Sequence, residues 1–94
     1  MYDLEIKEEV DKLFSKLAKK DKKQLFIIHK KIEEIRANPT HSYKFLKEPL
    51  QGFNRTHIEG SFVLIFKIIH EERKIIIYHY DHHDNVYKWK PKNE

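Results

Sequence analysis

Two apolar runs, Phe62-Val63-Leu64-Ile65-Phe66 and Ile75-Ile76-Ile77-Tyr78, constrain this chain more than anything else in it. Each is too short for a buried helix, rich in β-branched and aromatic residues, and apolar at consecutive positions, as in a strand covered on both faces. Extended to Phe62–His70 and Lys74–Tyr80 around a Glu71-Glu72 turn, they read as an antiparallel pair at the centre of a sheet. Phe53–Ile58, ahead of the Glu59-Gly60 turn, reads as a third strand.

The cover for such strands lies upstream. Val10, Leu13, Phe14 and Leu17 recur at helical spacing within Glu8–Lys19. Asp21 is placed to cap a second helix, in which Leu25, Ile28, Ile32 and Ile35 form one stripe until Asn38-Pro39 ends it. Tyr2–Ile6 alternates as a short strand does. The predicted order is β-α-α-β-β-β: an α+β domain with a helical hairpin laid on one face of a small, mainly antiparallel sheet. From Thr40 to Gly52 the pattern is lost, with Pro49 and Gly52 bracketing a turn-rich connection and one helical turn expected around Tyr43–Lys47. The stretch 89–94 reads as a frayed tail, although Trp89 is expected to pack on the sheet edge more readily than to stack on nucleic acid.

Ninety-four residues make one domain and leave nothing for a second. Without cysteine there are no disulfides, thiolate metal sites or thiol nucleophiles. The start of the chain is acidic where a leader would be cationic and then apolar, and no run is long enough to span a bilayer, so a soluble cytoplasmic protein is expected. The net charge of +4 is mild, but its distribution is not. Lys12 to Lys31 holds eight lysines against the single acid Asp21, a basic helical end suited to a polyanion or simply to water.

The segment Glu48-Pro49-Leu50-Gln51-Gly52, followed by Arg55-Thr56-His57-Ile58 and the apolar Phe62–Ile68 strand, resembles the central motif of YafQ-type toxins in the RelE/ParE superfamily. His82-His83-Asp84-Asn85-Val86-Tyr87 is similar to that superfamily's C-terminal ending. The resemblance spans nearly the whole chain and implies a RelE-like fold. It further implies a type II toxin acting as a metal-independent endoribonuclease on ribosome-bound mRNA, with no cofactor and with a RelB- or DinJ-like antitoxin as partner. Matched residue by residue, the functional histidines fall on His57 and His83, with His82 matching the more general ending and Tyr87 the C-terminal aromatic. Glu48 stands where YafQ proteins often carry histidine, and Ser61 where they often carry aspartate. Two alternatives share the fold: a ParE-like toxin that inhibits gyrase, and a RelE-fold protein that has lost catalysis.

The residue types suit the implied chemistry. Metal-free RNA cleavage needs a base for the 2′-hydroxyl and an acid for the departing 5′-oxygen, and histidine serves either role near neutral pH. Lys44, Lys47 and Arg55 lie near His57 in sequence and are candidates to hold the scissile phosphate, while Lys19, Lys20, Lys22 and Lys23 are candidates for wider RNA contact. Tyr87 can stack on a base. His29, His41 and His70 read as surface or loop residues. The group His79, Asp81, His82, His83 and Asp84 also has the donor types of a zinc or manganese site, a reading weighed below the metal-free one because adjacent His82 and His83 seldom share an ion without a formed loop.

Overall fold

The computed structural model describes residues 1–92. Its elements are β1 (Asp3–Ile6), α1 (Glu8–Lys20), α2 (Lys22–Ala37), β2 (Lys44–Phe45), β3 (Asn54–Ile58), β4 (Phe62–Ile69), β5 (Lys74–His82) and α3 (His83–Val86), with a 3₁₀ turn at His70–Glu72 between β4 and β5. The five strands form one sheet in the order β1-β5-β4-β3-β2, so the two apolar runs are central. All neighbours are antiparallel except β1 and β5, which run parallel. The helical hairpin carries the chain from β1 at one edge of the sheet to β2 at the other.

The second helix begins and ends for visible reasons. The Asp21 side chain accepts the Gln24 N–H at 3.1 Å, capping α2, and the Asn38 N–H closes its far end on the Glu34 and Ile35 carbonyls. Ile28, Ile32 and Ile35 of α2 are fully buried together with Val10 and Phe14 of α1, against Ile58, Leu64, Phe66, Ile75, Ile77 and Tyr80 on one face of the sheet. Deleting a side chain such as Ile32 from a core of this kind costs about 2–5 kcal/mol. The turn into β4 places Glu59 and Gly60 in the left-handed region, φ 54° and 76°, where glycine carries no Cβ penalty.

The opposite face has its own, smaller core. Val63, Ile65 and Tyr78 of the sheet are covered there by Leu46, Leu50 and Phe53 from the connection and by Val86 of α3, with Trp89 packed against them. The C-terminal stretch is therefore anchored at Trp89, not frayed from 89 onward; 93 and 94 lie outside the described residues. The helical turn expected around Tyr43–Lys47 is instead β2, which pairs Lys44 with Arg55 and Phe45 with Asn54. The buried Asn54 side chain donates to the Tyr43 and Lys44 carbonyls and fixes that pairing. β5 runs two residues further than the sequence pattern indicates, to His82.

Candidate functional site

Strand register decides which side chains share the face away from the helices. Arg55 lies opposite Ile65, and Ile65 opposite His79; His57 lies opposite Val63, and Val63 opposite Asp81. Paired residues in a sheet point the same way, so Arg55, His57, His79 and Asp81 stand on one face in two rows. Along Arg55 and β2 a cavity of about 350 Å³ opens, lined by Phe45, Leu46, Lys47, Glu48, Pro49, Leu50, Arg55 and Tyr87. Its floor is held by turns: the Leu46 N–H donates to the Phe53 carbonyl at 2.9 Å, and the Leu50 N–H to the Lys47 carbonyl at 2.9 Å.

The cavity joins two chemistries. Lys47 and Arg55 bring fixed positive charge, and the exposed rings of Phe45 and Tyr87 offer flat apolar surface. Arg55 Nη1 lies 3.4 Å from His57 Nδ1, which ties the first histidine to the cavity wall. Lys44 extends the cation set from the strand beside Arg55. Tyr87 follows α3, one helical turn after His83. The start of α3 is fixed to the β3–β4 turn by the His83 N–H donating to the Ser61 carbonyl at 2.8 Å. Ser61 thus serves through its backbone.

At that helix start, His82 Nδ1 accepts the Asp84 N–H at 3.2 Å. Asp84 also reaches His83 Nδ1 at 3.0 Å and His82 Nδ1 at 3.4 Å. One donor atom from each of His82, His83 and Asp84 lies within 4.8 Å of the others, a spacing that would admit a cation. His79 is not part of it. Its imidazole is stacked on Trp89, and burial holds its pKa below the ordinary value despite the opposing pull of Glu9 and Asp81.

Of the candidate residues, Lys47, Arg55 and Tyr87 line the cavity, Lys44 and His57 adjoin Arg55, and His82 and His83 stand together at the start of α3, His82 on the Phe62 side of the sheet. Lys19, Lys20, Lys22 and Lys23 are not in the cavity: they sit at the tip of the hairpin, whose helices cover the other face. The tip nevertheless borders the histidine-bearing end of the sheet, because the Tyr80 hydroxyl donates to Gln24 Oε1 at 3.1 Å while the Tyr80 ring stacks on Phe62, itself in contact with His82. His29, His41 and His70 lie elsewhere, against Phe14, Tyr43 and Tyr2 respectively. Phe45 and Glu48 line the cavity without a functional expectation from the sequence: Phe45 stands on a strand too short to show a pattern, and Glu48 reads only as a departure from a motif.

The architecture is thus a five-stranded mixed sheet with a helical hairpin on one face and a cationic cavity on the other. In fold the chain is similar to a metal-bound toxin from Helicobacter pylori, with a TM-score of 0.74 at 20% identity over 92% of this chain and 99% of that one. It is likewise similar to the toxin–antitoxin complex RelBE2 from Mycobacterium tuberculosis, with a TM-score of 0.71 at 20% identity over 86% of this chain and 90% of that one. No family model matches. A protein of Methanocaldococcus jannaschii, provisionally named toxin RelE4, is 50% identical over 90 residues, covering 96% of this chain and 95% of its own. The chain belongs to the RelE toxin superfamily. Among the described residues no helix is long and apolar enough to cross a membrane.

Proposed function

We propose that the protein is the toxin of a type II toxin–antitoxin pair and an endoribonuclease that cuts ribosome-bound mRNA without a metal, inhibiting translation in the cytoplasm. The observation that carries this reading is the cavity in which Arg55, Lys47, Glu48 and Tyr87 converge, with His57 3.4 Å from the Arg55 guanidinium. Arg55 and Lys47 clamp the scissile phosphate and offset the charge that builds as it becomes five-coordinate. One histidine of the His57 and His83 pair takes the proton from the 2′-hydroxyl. The 2′-oxygen bonds to phosphorus as the bond to the 5′-oxygen breaks, and the other histidine protonates the departing oxygen. The product ends are a 2′,3′-cyclic phosphate and a 5′-hydroxyl.

Tyr87 supports a base from below the cut. Among the described residues Glu48 is the one carboxylate lining the cavity and a further proton acceptor in it. Within the superfamily we place the chain nearest the YafQ branch, on the Pro49-Leu50-Gln51-Gly52 turn and the histidine in β3. A small antitoxin of the RelB or DinJ kind covering the cavity face is the expected partner, supported by the complex formed by the mycobacterial neighbour. The test is cleavage of ribosome-bound message by purified protein with cut sites mapped. Intact message at saturating protein would sink the reading in favour of a ParE-like gyrase inhibitor or a RelE-fold protein without catalysis.

A second reading has its own observation. The donor spacing of His82, His83 and Asp84 would suit a transition metal, and the Helicobacter neighbour is described as metal-bound. In that reading His82, His83 and Asp84 would hold the ion, which would supply an activated water as nucleophile in place of the 2′-oxygen.

A further inference from the structure

Phe26 is 69% exposed, one of the largest apolar side chains left in water, on a helix that carries exposed lysines one turn before and after it. At about 100° per residue it points roughly 140° away from the buried stripe of Leu25, Ile28, Ile32 and Ile35. Lys22 and Lys30 flank it one turn to either side, with Lys23 beside them and Lys19 and Lys20 just across the hairpin tip. Of the eight lysines between Lys12 and Lys31, Lys12 pairs with Glu8 and Lys31 with Glu34; among the described residues the other six form no ion pair. Asp21, the one acid in that stretch, is occupied as the α2 cap.

Helix stability does not account for the arrangement. Lys19 and Lys20 suit the C-terminal end of α1, but Lys22 and Lys23 lie in the first turn of α2, where the macrodipole disfavours cations and where there is no acid. A lone exposed phenylalanine is ordinary on a protein surface. One with five unpaired lysines on its own helix face and at the adjoining hairpin tip is matched to a ligand that is a polyanion with flat apolar faces along it, and single-stranded or looped RNA is that ligand. A protein partner would have to supply an acid for each lysine it buried.

We propose that the hairpin tip is an RNA-docking surface, with Phe26 stacking on an unpaired base while Lys19, Lys20, Lys22, Lys23 and Lys30 hold the phosphates around it. It takes from the proposed function only that the target is RNA, and it lies at the end of the molecule that carries His82, so one strand can engage both. The tip is the grip; the cavity is where the strand is cut.

The test uses a fluorescein-labelled 2′-O-methyl oligoadenylate, which cannot be cleaved through its 2′-oxygen, so binding is read apart from catalysis. Phe26→Ala should weaken binding by about 5- to 50-fold and leave the salt slope unchanged, because stacking releases no counterions. Phe26→Trp should retain affinity and Phe26→Leu should not. Each Lys→Gln change at Lys22, Lys23 or Lys30 should instead lower the slope, by about 0.7 in log Kd against log salt. Equal affinity of wild type and Phe26→Ala overturns the proposal, as does full rescue by leucine. Normal RNA binding by Phe26→Ala together with lost antitoxin binding would overturn it in favour of a protein surface. Failure to cut ribosome-bound message with these RNA results intact would strike the nuclease reading alone. Thermal unfolding of each variant checks that the fold is kept.

Discussion

The Trp89 indole lies nearly parallel to the His79 imidazole, ring planes 10° apart and centroids 5.2 Å apart, and its Nε1 donates to Glu9 Oε1 at 3.3 Å. This one side chain ties the C-terminal stretch to β5 and α1, and so fixes where Tyr87, two residues earlier, meets the cavity. Trp89→Ala should lower stability by about 1–3 kcal/mol and reduce cleavage further than the stability loss explains. Urea unfolding and single-turnover rates measured on the same preparation check this.

His79 makes that anchor sensitive to pH. Burial lowers its folded-state pKa below the ordinary imidazole value, so the unfolded chain binds the proton more readily. The stability it contributes is full above the unfolded value and is lost as pH falls through the lower folded value. The thermal midpoint should therefore fall as pH drops below about 6.5, and His79→Gln should flatten that portion of the curve. Trp89 is the sole tryptophan, so its fluorescence follows the same transition directly. An identical pH profile in the glutamine variant would remove His79 as its source.

His57→Ala and His83→Ala should each slow cleavage of ribosome-bound mRNA by about a hundredfold or more, with unfolding midpoints close to wild type because both residues are exposed. Tyr87→Ala should have a smaller effect. Wild-type rates in both histidine variants would remove the acid–base assignment.

Glu48→Gln separates chemistry from binding. Removing an anion from a cavity that holds a phosphate should leave RNA affinity unchanged or raise it, while losing a proton acceptor should slow the chemical step by about tenfold or more. Binding by anisotropy and single-turnover kinetics read the two arms. Unchanged turnover would assign Glu48 to the lining only.

The metal-free and metal readings both use His83, so alanine substitution cannot divide them. Attack by the 2′-oxygen leaves a cyclic or 3′-phosphate and stalls on 2′-deoxy or 2′-O-methyl substrates; a metal-activated water leaves 3′-hydroxyl and 5′-phosphate ends and tolerates the 2′-deoxy sugar. Chelator treatment, with Mg²⁺ restored for the ribosome, should leave the rate intact. Stoichiometric zinc in the protein, together with cleavage of 2′-deoxy substrates, would move His82, His83 and Asp84 into a ligand set.

What was legible in the sequence was what burial dictates. The central strands, both helical stripes and the Asp21 cap follow from apolar spacing and a single capping residue. β2 left no trace because Lys44 and Phe45 are both exposed: its pairing comes from Asn54 and the edge of β3, not from any pattern of its own. The parallel pairing of β1 with β5 joins strands at opposite ends of the chain, which no local pattern reports. At the site, His57, His83, Arg55 and Tyr87 were reachable through motif resemblance, whereas Glu48 needed the cavity to give it a place. The helical lysines were visible as a run, but only the fold puts them across the sheet from Lys47. Phe26 was hidden by its type, since an apolar residue in an amphipathic helix is assigned to the core by default; its angle away from the stripe was the available signal.

The two cores on opposite faces of the sheet are unequal, and that inequality divides the molecule by lifetime. The helix-covered half can stay closed while the stretch from Lys44 to Phe53 and the stretch from His83 to Trp89, which roof the thinner core and carry the cavity, open together as a smaller cooperative unit. Amide protons there should exchange through this partial opening, and those of α2, β4 and β5 only through global unfolding. A protein partner gripping the roof would then set the working lifetime of the toxin without touching its scaffold.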